Sequence, residues 1–106
     1  KRQFIFRNRR LTIGLTMDEL EWRNQVRQDG FDDISKIKWA PGLFNDMHTH
    51  DFKANLFVVS GEMTVKTDEE EITCGAGETG ALDAGVPHSE LVGSAGVCFL
   101  IARKAG

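Results

Sequence analysis

Apolar and polar positions change their period once along this chain, and the change divides it. Between residues 16 and 30 the pattern is helical. Thr16-Met17-Asp18-Glu19 reads as a capping box, with Thr16 as N-cap and Glu19 at the third helical position. A helix is predicted from Met17 to Asp29, stopped by Gly30 and carrying a thin stripe of Met17, Leu20 and Val26 that suits the outside of something larger. From Ser35 onward the period drops to two, and short runs alternate with turn signals. The predicted strands are Ser35–Ala40, Met47–Phe52, Asn55–Val59, Glu62–Thr67, Glu70–Cys74, Thr79–Leu82, His88–Val92 and Val97–Arg103. Breaks are expected at Pro41-Gly42, Ser60-Gly61, Asp68-Glu69, Gly75-Ala76-Gly77, Ala84 to Pro87 and Gly93 to Gly96. Eight short strands with tight turns predict an all-β sandwich or a closed barrel of the jelly-roll type, with one N-terminal helix.

Length narrows this to one compact unit, because 106 residues support a single core. Residues 1–34 are read as an arm and helix packing on a barrel formed by residues 35–106. Composition is that of an ordinary globule, with 41% hydrophobic and 27% charged residues. No apolar run is long enough to span a membrane, and no secretory signal is visible, although the chain opens on Lys1 rather than Met. Cys74 and Cys98 are too few for a disulfide scaffold and are read as small buried hydrophobes in a cytoplasmic protein. Net charge is −3, but residues 1–10 carry five basic and no acidic side chains; the rest, with 8 basic against 16 acidic, carries −8. That acidic body argues against a nucleic-acid partner, and nothing points to a membrane partner.

The three histidines carry the chemistry. His48 and His50 are spaced i, i+2, which in a strand puts both rings on one face with Cα atoms about 6.6 Å apart, close enough to share a metal ion. His88 opens another predicted strand behind Gly85-Val86-Pro87. Glu90 follows on the same face of that strand, where it can act as a ligand or as a general base. Asp83 is a turn residue or orients a histidine, and Lys53 is solvated or pairs with an anionic substrate. No nucleophilic serine or cysteine motif and no phosphate loop is present, so catalysis without a metal is not expected.

The framework around these histidines resembles that of the cupin superfamily. The first motif of that family is glycine, five residues, His-x-His, three or four residues, glutamate, and about six residues to a glycine. It is matched by Gly42, His48, His50, Asn55 in the glutamate position, and Gly61, with the last spacing one short. The second motif is matched by Gly77, Asp83 in place of proline, Gly85, His88, and Val92 in place of asparagine. The resemblance covers about residues 36–103 and implies an antiparallel jelly-roll barrel, as in small single-domain bacterial cupins. It also implies one divalent transition metal, drawn from iron, manganese, nickel, copper or zinc, held by His48, His50 and His88 with Asn55 in the acidic ligand's place. A neutral amide there leaves the centre with its full charge, giving either a stronger Lewis acid or a weakened site used only for binding.

Positions alternating with Asn55, namely Phe57 and Val59, and Val92 alternating with His88, are expected to face inward and to wall a small apolar pocket. Met63, Phe44, Phe52, Cys98 and Leu100 line that pocket or belong to the core, and Trp22 and Trp39 pack the helix on the barrel or stack a ligand. The resemblance implies a metal-dependent enzyme acting on a small organic molecule by dioxygenation, isomerisation or lyase chemistry. The alternative is a non-catalytic ligand-binding or sensor cupin. A homodimer is expected, with the Lys1–Leu15 arm crossing over.

Overall fold

The computed structural model describes residues 18–106 and the strand β1 (Phe4–Ile5). Helix α1 (Glu19–Gln28) begins at an N-cap two residues later than expected. Asp18 accepts from the Glu21 backbone amide at 2.8 Å, and the Glu21 side chain accepts from the Asp18 amide at 3.1 Å. The run from Thr16 to Glu21 satisfies the box pattern twice, and the second copy is used; it places Glu19 and Glu21 in the first turn, where the helix dipole favours them. Thr16, Met17 and the arm proposed to cross over lie outside the described residues, apart from the backbone of β1. Gly30, at φ +90°, closes the helix: its amide donates to Arg27 and that of Phe31 to Val26, a Schellman pair that requires the left-handed conformation. The buried stripe is Trp22 and Val26, one turn apart, while Leu20 is 68% exposed.

Six strands complete the chain: β2 (Asp33–Trp39), β3 (Phe44–His48), β4 (Phe52–Lys66), β5 (Glu71–Gly75), β6 (Thr79–Leu82) and β7 (His88–Ala105). All pairings are antiparallel. The long strands β4 and β7 pair along most of their length and share out the others between their halves. The first half of β4 pairs with β6 and the second half of β7 with β2; the second half of β4 pairs with β5 and the first half of β7 with β3. β1 extends the first group by pairing with β6. The result is an antiparallel jelly-roll barrel with one helix.

Two expected breaks are bends. Ser60-Gly61 and Gly93 to Gly96 lie inside β4 and β7, which cross at that level with Gly61 opposite Val97 and a slipped register on either side. Gly61 and Gly96 both have positive φ, and a Cβ on Gly61 would collide with the Gly96 carbonyl. Glycine here lets two backbones touch while each strand curls, so two turn-like signals become the device that rolls a sheet into a barrel.

Strand parity then divides the core. Ala54, Leu56 and Val58 of β4 join Met63, Val65, Leu82, Val92, Val97 and Phe99 in the barrel interior. Phe57 points the other way and, with Leu100 and Ala102, packs beneath Trp22 and Val26 of α1. Phe57 and Val59, expected inside, therefore face the helix instead. Cys74 and Cys98 are buried and form no disulfide, as expected. No helix among the described residues is long and apolar enough to cross a membrane.

Candidate metal centre

The barrel interior narrows onto an apolar core at one end and opens into a cavity of about 540 Å³ at the other. His48, His50, His88 and Glu90 line it, among mainly apolar neighbours that include Trp39, Phe44, Phe52, Ala54 and Phe99. Each histidine is placed by a different device. His48 ends β3 directly opposite His88 at the start of β7, after a register shift between Asn45 and His48 that re-aims its ring. His50 lies beyond the strand end, where regular alternation was expected. The turn holds it: its carbonyl accepts from the Gly85 amide at 2.8 Å, and its ring stacks on Phe52 at 4.6 Å between centroids. The second motif's glycine thus ties the loop of the first motif in place.

The three rings converge, with centroids 4.3 to 5.0 Å apart and one ligand nitrogen from each lying within 4.8 Å of the others. Backbone carbonyls settle two tautomers. His88 Nδ1 is 2.9 Å from the Val86 oxygen and His48 Nδ1 is 2.6 Å from that of Asp46. A carbonyl only accepts, so each Nδ1 carries the proton and each Nε2 presents a lone pair when the ring is neutral. His88 is 1% exposed. Its Nε2 lies 3.3 Å from Glu90 Oε2 without hydrogen-bond alignment, and it is the buried side-chain polar atom left without a partner among the described residues. A buried lone pair with no donor facing it is what a metal ligand looks like when its ion is left out of account. The donor set therefore fits a divalent transition metal, and the His48, His50 and His88 cluster can hold one.

Glu90 stands on the inward face of β7, as alternation with His88 predicted. Its Oε1 accepts from Asn45 Nδ2 at 3.1 Å and lies 3.6 Å from His48 Nε2. Burial pushes its carboxyl up, but His88, Asn45 and the charge of the imidazoles outweigh that and hold it below the ordinary carboxylate range. Burial likewise pulls His88 down, and the Glu90 carboxylate and the Val86 carbonyl reverse it, so His88 titrates above an ordinary histidine. His50 titrates lower, through burial and then the charges of His88 and His48.

Asn55 is not brought to the histidines. Its side chain is on the opposite face of β4, 7% exposed, where its oxygen accepts from Trp22 Nε1 at 2.8 Å. The residue of β4 that does line the cavity is Ala54. Counting three residues after His50 instead of four lands on Ala54 and also restores six residues before Gly61, so both irregularities of the first motif vanish together. The acidic ligand's position is thus occupied by alanine, and the carboxylate beside the imidazoles comes from Glu90 on another strand. Lys53 shares Asn55's parity and lies away from the cavity, and Asp83 is an exposed turn residue near it rather than beside a histidine. Of the other expected linings, Phe44 and Phe52 face the cavity, Met63 lies in the barrel core and Leu100 packs under α1. Trp22 packs the helix, whereas Trp39 lines the cavity and meets Phe99 edge-on at 4.9 Å. Among the lining residues that were not anticipated is Arg103. The signal was there, because Phe99, Ile101 and Arg103 alternate on one face.

Comparison with known proteins agrees with this geometry. The family described as Cupin domain matches residues 36–101. No curated protein matches. Among solved structures, a conserved protein of unknown function from Streptococcus pyogenes is 23% identical, with a TM-score of 0.60 over 69% of this chain and 64% of its own. A predicted oxalate decarboxylase from Thermotoga maritima is 19% identical, with a TM-score of 0.62 over 78% and 74%. A structure of DMSP lyases is 22% identical, with a TM-score of 0.64 over 69% and 38%. The chain therefore spans less than two thirds of the Streptococcus protein and of the lyase, and likenesses at this identity speak for the fold alone. The family match covers more than half of the residues and contains all three histidines and both glycine frameworks, and on that ground the chain belongs to the cupin family.

Proposed function

We propose that this cupin is a metal-dependent enzyme of small organic molecules, of the isomerase or lyase type, with His48, His50 and His88 as ligands and Glu90 as the proton acceptor. The observation that carries the reading is the placement of Glu90, whose carboxylate lies 3.3 and 3.6 Å from two of the proposed ligand nitrogens at the wall of the cavity. A bound divalent ion supplies Lewis acidity, polarising a substrate oxygen and stabilising negative charge on it. The chain supplies the rest. Asn45 anchors Oε1 of Glu90, which leaves Oε2 to face the cavity side of His88. Glu90 is held ionised, so at neutral pH it is ready to accept a proton from a carbon next to a carbonyl or carboxyl group. Trp39, Phe44, Phe52 and Phe99 surround a small skeleton with apolar surface and limit water near the reacting atoms.

The test begins with metal content, measured by elemental mass spectrometry on protein prepared without chelator or tag metal. About one equivalent is expected in wild type, with loss in His48→Ala and His88→Ala; unchanged content in both variants overturns the ligand assignment. Glu90→Gln is then compared with wild type by NMR for deuterium uptake into small oxo and hydroxy acids in D₂O. The variant should keep metal and lose exchange. Wild type that binds such acids but exchanges none of them would leave a binding module.

A further inference from the structure

We infer that Arg103 makes this cavity selective for small monoanionic carboxylates, acting as the specificity-determining residue at the end of the ligand away from the histidines. The inference rests on reading the cavity as the ligand site, and it deepens that reading by naming the substrate class. Arg103 follows Phe99 and Ile101 on the inward face of β7 and sits opposite both Asp33 of β2 and Ala54 of β4. Among the described residues lining the cavity it is the one permanently cationic side chain.

The Arg103 side chain is 31% exposed at the cavity, and its pairing there is weak. Asp33 is 62% exposed and 3.7 Å away, and Ser35 Oγ accepts at 3.3 Å. Both contacts use Nη1. Nε and Nη2 have no hydrogen-bond partner among the described residues, which leaves an edge of the fork available. The group lies over Phe52, whose ring centroid is 5.5 Å from Cζ. That same ring stacks on His50. One aromatic ring therefore separates the guanidinium from the histidine cluster, so a short carbon skeleton reaches both.

Charge selects the anion. Glu90 and Asp46 also line the cavity, and they oppose a dianion such as a phosphate ester, while a single carboxylate matches the single fork. Lys53 stands opposite Lys104 on the neighbouring rung and does not line the cavity, so it supplies no second cation.

The probes are 3-phenylpropanoate, its amide and phenyl phosphate, followed by calorimetry and by tryptophan fluorescence on metal-loaded protein and on chelator-stripped protein. Wild type is expected to bind the carboxylate about ten- to a hundredfold more tightly than the amide, as a charge-assisted hydrogen-bonded pair allows. It should bind phenyl phosphate more weakly than the carboxylate. Arg103→Gln should erase the preference while leaving amide affinity unchanged; Arg103→Lys should restore part of it, and Lys53→Gln should keep it whole. Stripping the metal should weaken both ligands and leave a preference that still depends on Arg103. Equal binding of carboxylate and amide, or a preference that survives Arg103→Gln, overturns the inference and leaves the cavity reading standing. Binding of neither probe overturns both.

Discussion

The two faces of strands β4 and β7 share a backbone and differ in what they do with polar groups. On the outer face, beneath α1, Trp22, Val26, Leu100 and Ala102 are at most 1% exposed, and the buried amide, Asn55, is matched by the indole N–H of Trp22. On the inner face, packing stops short of closure. A cavity is left, three imidazoles gather around it, and the buried Nε2 of His88 has no hydrogen-bond partner. A satisfied buried polar group holds a fold together, whereas an unsatisfied one aimed into a cavity marks a place for something else. Counting along a family motif does not by itself separate these cases: one residue of slip assigns Asn55 to the ligand position, yet its side chain serves the helix.

That contrast can be broken most forcefully from the outer side. Trp22→Ala should cost about 3–5 kcal/mol of stability by opening a cavity under α1, visible in denaturant unfolding. Metal content per folded molecule should not change, because no histidine touches that face. The next largest effect belongs to the inner face. His88→Ala should abolish the stabilisation conferred by added metal, which for wild type at a hundredfold excess over Kd amounts to about 2.7 kcal/mol in a thermal melt. A variant that still gains stability from metal would place the ion elsewhere.

A pair of neighbouring substitutions sharpens the comparison. Ala54→Glu sends a carboxylate toward the histidines and should tighten metal binding in equilibrium dialysis. Asn55→Glu, one residue on, should leave metal affinity alone and lower stability, since it disturbs the Trp22 bond; Asn55→Leu should cost about 1–3 kcal/mol by leaving the indole N–H unsatisfied. Tightening by Asn55→Glu instead would reverse the parity assigned to β4.

The smallest effect is on pH dependence. His88 titrates above its ordinary value, so in the metal-free protein the stability it contributes is present in full below pH 6.5 and is lost as pH rises through the raised folded value. Metal requires the neutral ring and displaces that proton. Affinity should therefore fall as pH drops below the raised value, by up to about tenfold per pH unit. Glu90→Gln removes the carboxylate that raises His88 and should move this midpoint to lower pH. A midpoint that stays put would mean that Glu90 does not act on His88.

Much of the barrel was legible because its signals are local. Period-two alternation, Gly30 at the helix stop and the spacing of His48, His50 and His88 each act over a few residues. Glu90 was placed inward correctly since it lies two positions from His88 with no bend between them. The β4 alternation fails because the motif count anchors it on Asn55; carried from His50 instead, period two gives Phe52 and Ala54, which line the cavity. Ser60-Gly61 and Gly93 to Gly96 were misread for a related reason, because glycine permits a turn and a bulge equally and only the opposing strand decides between them.

By itself, the sequence determined the class of fold, the family framework and the three imidazoles, since these rest on residue type and short spacing. Tertiary structure alone decided which residue of the pair Ala54 and Asn55 faces the histidine cluster, and that the alternating face of Phe99, Ile101 and Arg103 meets the same cavity. Each of those facts depends on which face of a strand meets which neighbour. A single residue of slip reverses a face, and only contact between elements distant in the chain fixes it.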